Sequence, residues 1–575
     1  MTNSTPPTRQ GRPSRLRLLI VLPLALLAGL VGGLLAPENW SEGPGTMSLE
    51  YRGEQIVEAP ILVGEIDPVR LSGESGPIRV VVTYPSGIPV EEPIEAWIVV
   101  TQEGSIIQPD IADVQLRITL GDGREELIPV IRWNDQEQRL EAQRRPTHDS
   151  GLVLGLLGFV VVMWVTEALP LFVTSLLIPV VLVFAGVATA GEATAPFAHP
   201  IIVLFFAGFL MAEAMRRTKL DHYTSVVITA RAGHSPAVLF ASMLGLAAFM
   251  SMWMSNTAAI AVLVPIALAV TTPLDHAGFQ RALVLGIAYA GTIGGVGSAI
   301  GTPANQIAIE FLDSFGGHTI SFIEWFAFGL PMVILFLPVM GWYLWKRSSV
   351  DIDAEQFGEV RAVAEAERRR VGAPSRDQIV VLGVFVAVAI GWVTQTLHGF
   401  HPGVVALAGA VALFVLGALV PEDLGRISWS SLITFGGGLT LGFFLVETGT
   451  SDFLATRLTG LVGVSTVIAI FAVALLTLLL TTFASNTASA AILIPLAIPL
   501  AGVLGISVTG LVVVVAMASS IDFALVVGTP PTMIAYSTRL YSASQIFRTG
   551  IVLDLVGVTI LVFVVHKIWG LFGLI

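Results

Sequence analysis

The chain has 575 residues, 54% of them hydrophobic and only 13% charged, with a net charge of −12. That is far more apolar side chain than one water-soluble core could cover, which excludes a soluble globular protein and puts the chain in a bilayer. The absence of cysteine excludes disulfide frameworks, thiolate metal sites and cysteine nucleophiles.

In chain order, Arg9, Arg12, Arg15 and Arg17 cluster at the start, and an apolar run follows over Leu16 to Ala36. The positive-inside rule assigns residues 1–15 to the cytoplasm and 16–36 to a first span. A signal peptide is the competing reading, although the run is long for its apolar region. Residues 37–150 hold 21 Asp and Glu against nine Arg and no Lys, so this segment carries the whole net charge. Its alternating runs, Ile78 to Tyr84, Ala96 to Thr101 and Val114 to Leu120, with Gly and Pro between them, predict a small β-rich acidic domain. With the N-terminus inside, that domain is extracytoplasmic.

Beyond it the chain is duplicated. Trp164-Val165-Thr166 recurs at Trp392-Val393-Thr394, Ser255-Asn256-Thr257-Ala258 at Ser485-Asn486-Thr487-Ala488, and Gly301-Thr302-Pro303 at Gly528-Thr529-Pro530, at offsets of 228, 230 and 227. Three landmarks in one order at one spacing identify two transporter-type repeats, 151–347 and 376–575. The first predicts spans near 151–168, 171–189 and 199–217, a surface helix near 218–233, a re-entrant hairpin 236–270, and spans 282–312 and 323–346. The second predicts spans near 376–396, 402–420 and 430–449, a hairpin 465–501, and spans 508–540 and 547–573. An odd number of crossings per half inverts the second repeat. The Glu- and Arg-rich segment 348–375 reads as a cytoplasmic loop linking the halves. The fold class is an all-α polytopic membrane protein of about 11 spans, plus the β-rich insertion.

Each Ser-Asn-Thr triplet is a polar island in apolar sequence, tolerated at membrane depth where it lines a cavity or binds something. One such triplet would be read as helix-packing glue; two at matching positions favour a binding site. Gly291 to Pro303 is too rich in glycine, and ends in proline, to be one unbroken helix, and Val526 to Pro531 repeats the pattern. Short hydroxyls, amides and freed carbonyls offer neutral oxygens to a cation, and helix N-termini offer positive dipole ends to an anion. No GxxxxGK[ST] phosphate loop occurs.

These motifs, together with Trp164 to Pro170, Ser251 to Thr257, Gly301 to Asn305, Phe483 to Ala491 and Gly528 to Pro531, resemble the divalent anion sodium symporter family over about residues 150 to 575 and the first span. The resemblance implies eleven spans, two hairpins with Ser-Asn-Thr at their tips, a homodimer and elevator motion. It implies sodium-coupled symport of C4 dicarboxylates or related divalent anions. Carried over, one sodium meets Ser251, Ser255, Asn256 and the Gly301 backbone, and a second meets Thr481, Ala484, Asn486 and the Gly528 backbone. Substrate carboxylates meet Asn256, Thr257, Thr302, Ser485, Asn486, Thr487 and Thr529. Two positions depart from the family pattern, Thr532 and Asp522. Thr532 stands where Asn is usual, while Asn305 keeps it in the first repeat, and substrate preference is expected to differ accordingly. Asp522 lies inside an apolar helix and is a candidate proton site, or a hydrogen-bonded structural carboxylate.

Sodium-independent exchange or proton coupling on the same fold is the alternative mechanism. An intramembrane enzyme is disfavoured, because neither triplet has a His or Lys nearby and the nine His follow no metal-ligand spacing. A sensor would need a cytoplasmic output domain, and none is legible. The expected partners are a small divalent anion, the inner or plasma membrane lipid and a second copy of the chain. Neither an organic cofactor nor a nucleic acid is expected.

Overall fold

The computed structural model describes residues 15–34, strands between 43 and 142, and residues 149–232, 235–274, 276–348, 352, 354–457 and 465–575. The strands are β1 (Gly43–Tyr51), β2 (Glu54–Val63), β3 (Arg70–Ser72), β4 (Ile78–Val81), β5 (Glu95–Ile98), β6 (Val114–Thr119), β7 (Glu125–Asn134) and β8 (Arg139–Ala142). They form a five-stranded sheet in the order β2-β1-β6-β7-β8 and a three-stranded sheet β3-β4-β5. All their pairings are antiparallel.

The other regular elements described are helices. Helix α1 (Arg15–Leu34) packs on α2 (Ser150–Thr166) through glycine: a Cβ on Gly158 would lie 2.8 Å from the Ala28 carbonyl oxygen. Small residues let backbones approach where lipid offers no hydrophobic drive. Next come α3 (Leu171–Phe184), the single turn α4 (Ala190–Thr194) and α5 (Pro200–Thr218). The last ends at Lys219 in the left-handed region, φ 57°, so that α6 (Leu220–Ala232) turns off it where the sequence predicts a surface helix. Beside that corner the buried Asp423 accepts from Arg217 at 3.1 Å and Arg426 at 3.3 Å, while the buried Glu213 binds Arg216 at 2.5 Å. This network ties the end of α5 to the second repeat.

The hairpin α7 (Pro236–Ser251) and α8 (Asn256–Thr271) precedes α9 (Ala277–Gly294), which breaks before α10 (Pro303–Phe311). Helix α11 (Phe322–Arg347) closes the first repeat. The segment expected as a loop is instead largely the helix α12 (Ala354–Val371). Ala, Glu and Arg are strong helix formers, and Arg361 with Glu365 makes an i,i+4 pair at 2.9 Å.

The second repeat runs α13 (Arg376–Val393), the short α14 (Gln395–His398), α15 (Pro402–Val415), α16 (Trp429–Glu447) and α17 (Thr450–Arg457). The hairpin α18 (Thr466–Phe483) and α19 (Asn486–Leu504) follows, then α20 (Val508–Ala518), a break, α21 (Pro530–Ser537), α22 (Ala543–Ile560) and α23 (His566–Leu571). Among the described residues seven helical stretches are long and apolar enough to cross a membrane, and eight apolar helices are shorter. Length alone therefore does not give eleven crossings: α3 and α15 have 14 residues each, and α9/α10 and α20/α21 are interrupted. Helix α18 passes the length criterion, yet the chain leaves it at Ala484 and turns back into α19.

The two repeats interlock at the centre. Helix α8 packs on α21, and α10 packs on α19 and α20, so each half-helix leans on the other repeat's elements. Helix α20 is buried from Thr509 to Ala518. Helix α22 is pressed against the chain within the second break: a Cβ on Gly550 would lie 2.0 Å from the Phe523 carbonyl oxygen and 2.5 Å from Ala524 Cα. Backbone cannot yield as a flexible side chain would. Gly550→Ala should destabilise the protein by about 1–3 kcal/mol and weaken transport, as measured by thermal unfolding in detergent and by uptake. A melting point equal to wild type would contradict this packing.

Candidate functional site

The two hairpin tips and the two helix breaks surround one cavity of about 890 Å³. Its walls are made by helix beginnings. Ser255 caps α8, its hydroxyl accepting from Ala258 N at 3.3 Å, and Ser485 caps α19 in the same way through Ala488 N at 3.2 Å. Thr302 and Thr529, both in extended backbone, stand at the N-caps of α10 and α21, where Pro303 and Pro530 occupy the first helical position. Proline suits that position because its missing N–H would be unpaired there in any case. All four caps line the cavity, so four helix N-termini converge on one volume. Each contributes a positive dipole end, and α8, α10 and α19 add unpaired N–H groups, a setting for an anion; α21 adds none in its first turn, because it opens with Pro530-Pro531 and the Thr532 N–H is taken by the Thr529 hydroxyl.

Behind each tip lies an oxygen cluster. Ser251 Oγ donates to Asn256 Oδ1 at 2.5 Å, and Thr481 Oγ1 to Asn486 Oδ1 at 3.0 Å, five residues apart in both repeats. Ser298 Oγ donates to the Met252 carbonyl at 2.5 Å, joining the first tip to its break. Thr481 Oγ1 also lies 2.6 Å from the Ser519 carbonyl at the end of α20. The chain leaves α18 at Ala484 with extended backbone, φ −113° and ψ 165°, which takes the Ala484 carbonyl out of the helical ladder.

All seven residues expected to meet substrate line the cavity: Asn256, Thr257, Thr302, Ser485, Asn486, Thr487 and Thr529. Of the expected cation ligands, Ser255, Asn256, Gly301, Asn486 and Gly528 line it too, whereas Ser251, Thr481 and Ala484 are buried at the tips. Asp522, expected inside a helix, stands instead in the non-helical break, because α20 ends at Ala518; it is fully buried, and neither of its carboxylate oxygens has a hydrogen-bond partner.

Asn305 and Thr532 do not line the cavity. Asn305 Nδ2 donates to the carbonyls of Ser298 at 2.7 Å and Gly295 at 3.0 Å, clamping the first break from beneath. Thr532 reaches only Thr529, with 2.9 Å between the hydroxyl oxygens. The second break therefore lacks the amide clamp.

Glu167, Ser430, Ser431 and Thr434 also line the cavity, and residue patterns alone do not single them out. Ser430 and Ser431 open α16, where a polar start is ordinary for any helix. Trp253 lines it as well, and stacks on Trp392 of the other repeat at 6.4 Å between ring centroids.

A cavity walled by broken helices from two repeats of an apolar helical chain is the architecture of a multi-pass membrane transporter. Residues 147–575 match the family described as the sodium:sulfate symporter transmembrane region, and the chain belongs to that family. It is a transporter and not an enzyme. It is 33% identical over 445 residues to an uncharacterized transporter of Haemophilus influenzae, covering 74% of this chain and 92% of that one. It is 31% identical over 447 residues to the sodium-dependent dicarboxylate transporter SdcS of Staphylococcus saprophyticus, covering 73% of this chain and 86% of the relative. Among solved structures it matches the Alcanivorax borkumensis YdaH transporter at 16% identity and TM-score 0.46, over 67% of this chain and 87% of that one.

Proposed function

We propose that the protein is a secondary active transporter that carries a C4 dicarboxylate, or a related divalent anion, together with sodium. The observation that carries this reading is the convergence of four helix N-caps on one cavity, with a hydroxyl–amide oxygen cluster at each hairpin tip. Membership of the family and the name of the staphylococcal relative support sodium as the coupling ion.

In this reading Asn256, Thr257, Thr302, Ser485, Asn486, Thr487 and Thr529 bind the substrate carboxylates. Ser251, Ser255, Asn256 and the Gly301 carbonyl hold the first sodium. Thr481, Ala484, Asn486 and the Gly528 carbonyl hold the second. Neutral oxygens suit a hard monovalent cation, and the two cations offset the charge of the anion, so no Lys or Arg is required in the cavity. The cavity then passes across the membrane by elevator motion of the hairpins and broken helices, in a homodimer of eleven-span protomers whose repeats are inverted. The test is uptake of labelled succinate into proteoliposomes. Uptake in sodium that disappears when potassium replaces it supports the reading, and equal uptake in both ions defeats it.

Asp522 favours a second reading, because a buried carboxylate without a partner is a natural proton acceptor. Uptake that persists without sodium, follows an imposed proton gradient and is lost in Asp522→Asn would replace sodium coupling by proton coupling.

The acidic balance of residues 37–150 and the arginines ahead of them support a cytoplasmic N-terminus and a separate domain outside. Ser86, which lies outside the described residues, offers the probe. In intact cells a membrane-impermeant thiol reagent should label the Ser86→Cys variant. Labelling only after lysis would reverse the topology.

A further inference from the structure

The two breaks share one plan, and a constant offset of 227 residues sets Gly528 opposite Gly301 and Asp522 opposite Gly295. In the first repeat, a Cβ on Gly295 would lie 2.8 Å from Asn256 Oδ1 and 2.9 Å from the Gly301 carbonyl oxygen. A side chain at that register points directly at the oxygens assigned to the first cation. The first repeat has no side chain there. The second has Asp522, and its carboxylate lies against the Gly528 backbone, with its two oxygens 2.2 and 2.7 Å from where a Gly528 Cβ would stand.

The surroundings leave this carboxylate uncompensated. Asp522 is 0% exposed and both oxygens lack a hydrogen-bond partner. Asp554, on α22, is equally buried; its Oδ1 accepts from Phe523 N at 2.8 Å and its other oxygen has no partner. The hydroxyl of Tyr289, on α9, is engaged with the Phe523 carbonyl at 2.8 Å. Among the described residues no ion pair includes either carboxylate. An ionised, unpaired carboxylate in a low-dielectric interior is strongly unfavourable unless a cation joins it or it takes up a proton.

We propose that the Asp522 carboxylate is an anionic ligand of the second cation site, so that sodium binds there before substrate arrives, while the first site stays neutral and fills together with the substrate. This rests on the reading of Asn486 and Gly528 as cation ligands. The charge breaks the functional equivalence of two sites that are otherwise built alike, and it sets an order: sodium at the second tip, then substrate with the other sodium.

The test is equilibrium binding of radioactive sodium to the purified full-length protein, with and without succinate. Wild type should hold one sodium per chain without succinate and a second when succinate is added. Asp522→Asn should raise the half-saturating sodium concentration of the substrate-free site by roughly tenfold or more. Asp522→Gly, which installs the residue found in the first repeat, should do the same and serves if the amide variant does not purify as a single species. Ser251→Ala should leave the substrate-free site unchanged. Two equivalent sodium ions in substrate-free wild type, or a wild-type half-saturation in the Asp522 variants while Asn486→Ala weakens binding, overturns the role of Asp522 alone. No sodium bound by wild type under either condition overturns the sodium reading of the cavity, and this inference with it.

Discussion

Replacing Asn256 or Asn486 by alanine is expected to abolish uptake while leaving the protein folded. Each amide sits at the first position of a helix that opens into the cavity, and each oxygen is within hydrogen-bonding distance of a tip hydroxyl, Ser251 Oγ at 2.5 Å and Thr481 Oγ1 at 3.0 Å. In the proposed mechanism each amide therefore serves a cation and the substrate at once. A hydrogen bond to a charged group contributes about 1.5–3 kcal/mol, so losing two interactions weakens the loaded state by roughly a hundredfold or more. The structural cost is smaller. The caps Ser255 and Ser485 remain, and α8 and α19 keep their packing on α9 and α20. Thermal unfolding separates the two effects: a melting point near wild type with no uptake supports the assignment, and wild-type uptake in either variant removes that amide from the site.

Sodium should act cooperatively with substrate. Apart from the exposed Glu167 in its wall and Asp522 behind the second break, the oxygens of the site are neutral, and an anion with two negative charges enters such a volume at a large desolvation cost. Bound cations offset that cost, so substrate affinity should climb steeply with sodium. Linkage then requires substrate to tighten sodium binding by the same factor. The measurement is initial uptake rate against sodium at fixed succinate and pH. A sigmoidal curve is expected, with a Hill coefficient above one and approaching roughly two as the two sites fill over the same range. By weakening the site that fills first, Asp522→Asn should move the curve to higher sodium and make it more sigmoidal. A hyperbolic dependence with sodium-independent substrate affinity would remove the coupling.

The local devices of the site were legible because they are local. Glycine and proline end helices wherever they stand, and a Ser ahead of Asn-Thr is a helix N-cap by its own chemistry. Gly301-Thr302-Pro303 and Gly528-Thr529-Pro530 therefore mark their own breaks, and their recurrence at one offset marks the duplication. The polarity of segment 348–375 suggests a loop, whereas the helix propensity of its Ala, Glu and Arg is what the structure follows. Ser430, Ser431 and Thr434 are not legible as site residues, because a polar residue near a helix start carries no sign of what it faces.

What the sequence alone determined is the bilayer setting, the two repeats, the two tips, the two breaks and the residue types that could bind there. All of these follow from composition, backbone conformational preference and self-similarity. Only the tertiary structure decided which of them meet. It placed α8 on α21 and α10 on α19, so that four N-caps open into one cavity, and it set Asn305 beneath the first break. It also brought Asp522 against Gly528 while leaving Gly295 bare against Asn256 and Gly301. Contacts of this kind join residues far apart in the chain. They are fixed by how helix surfaces and bare glycine backbones fit together, a three-dimensional property that no local stretch of sequence carries.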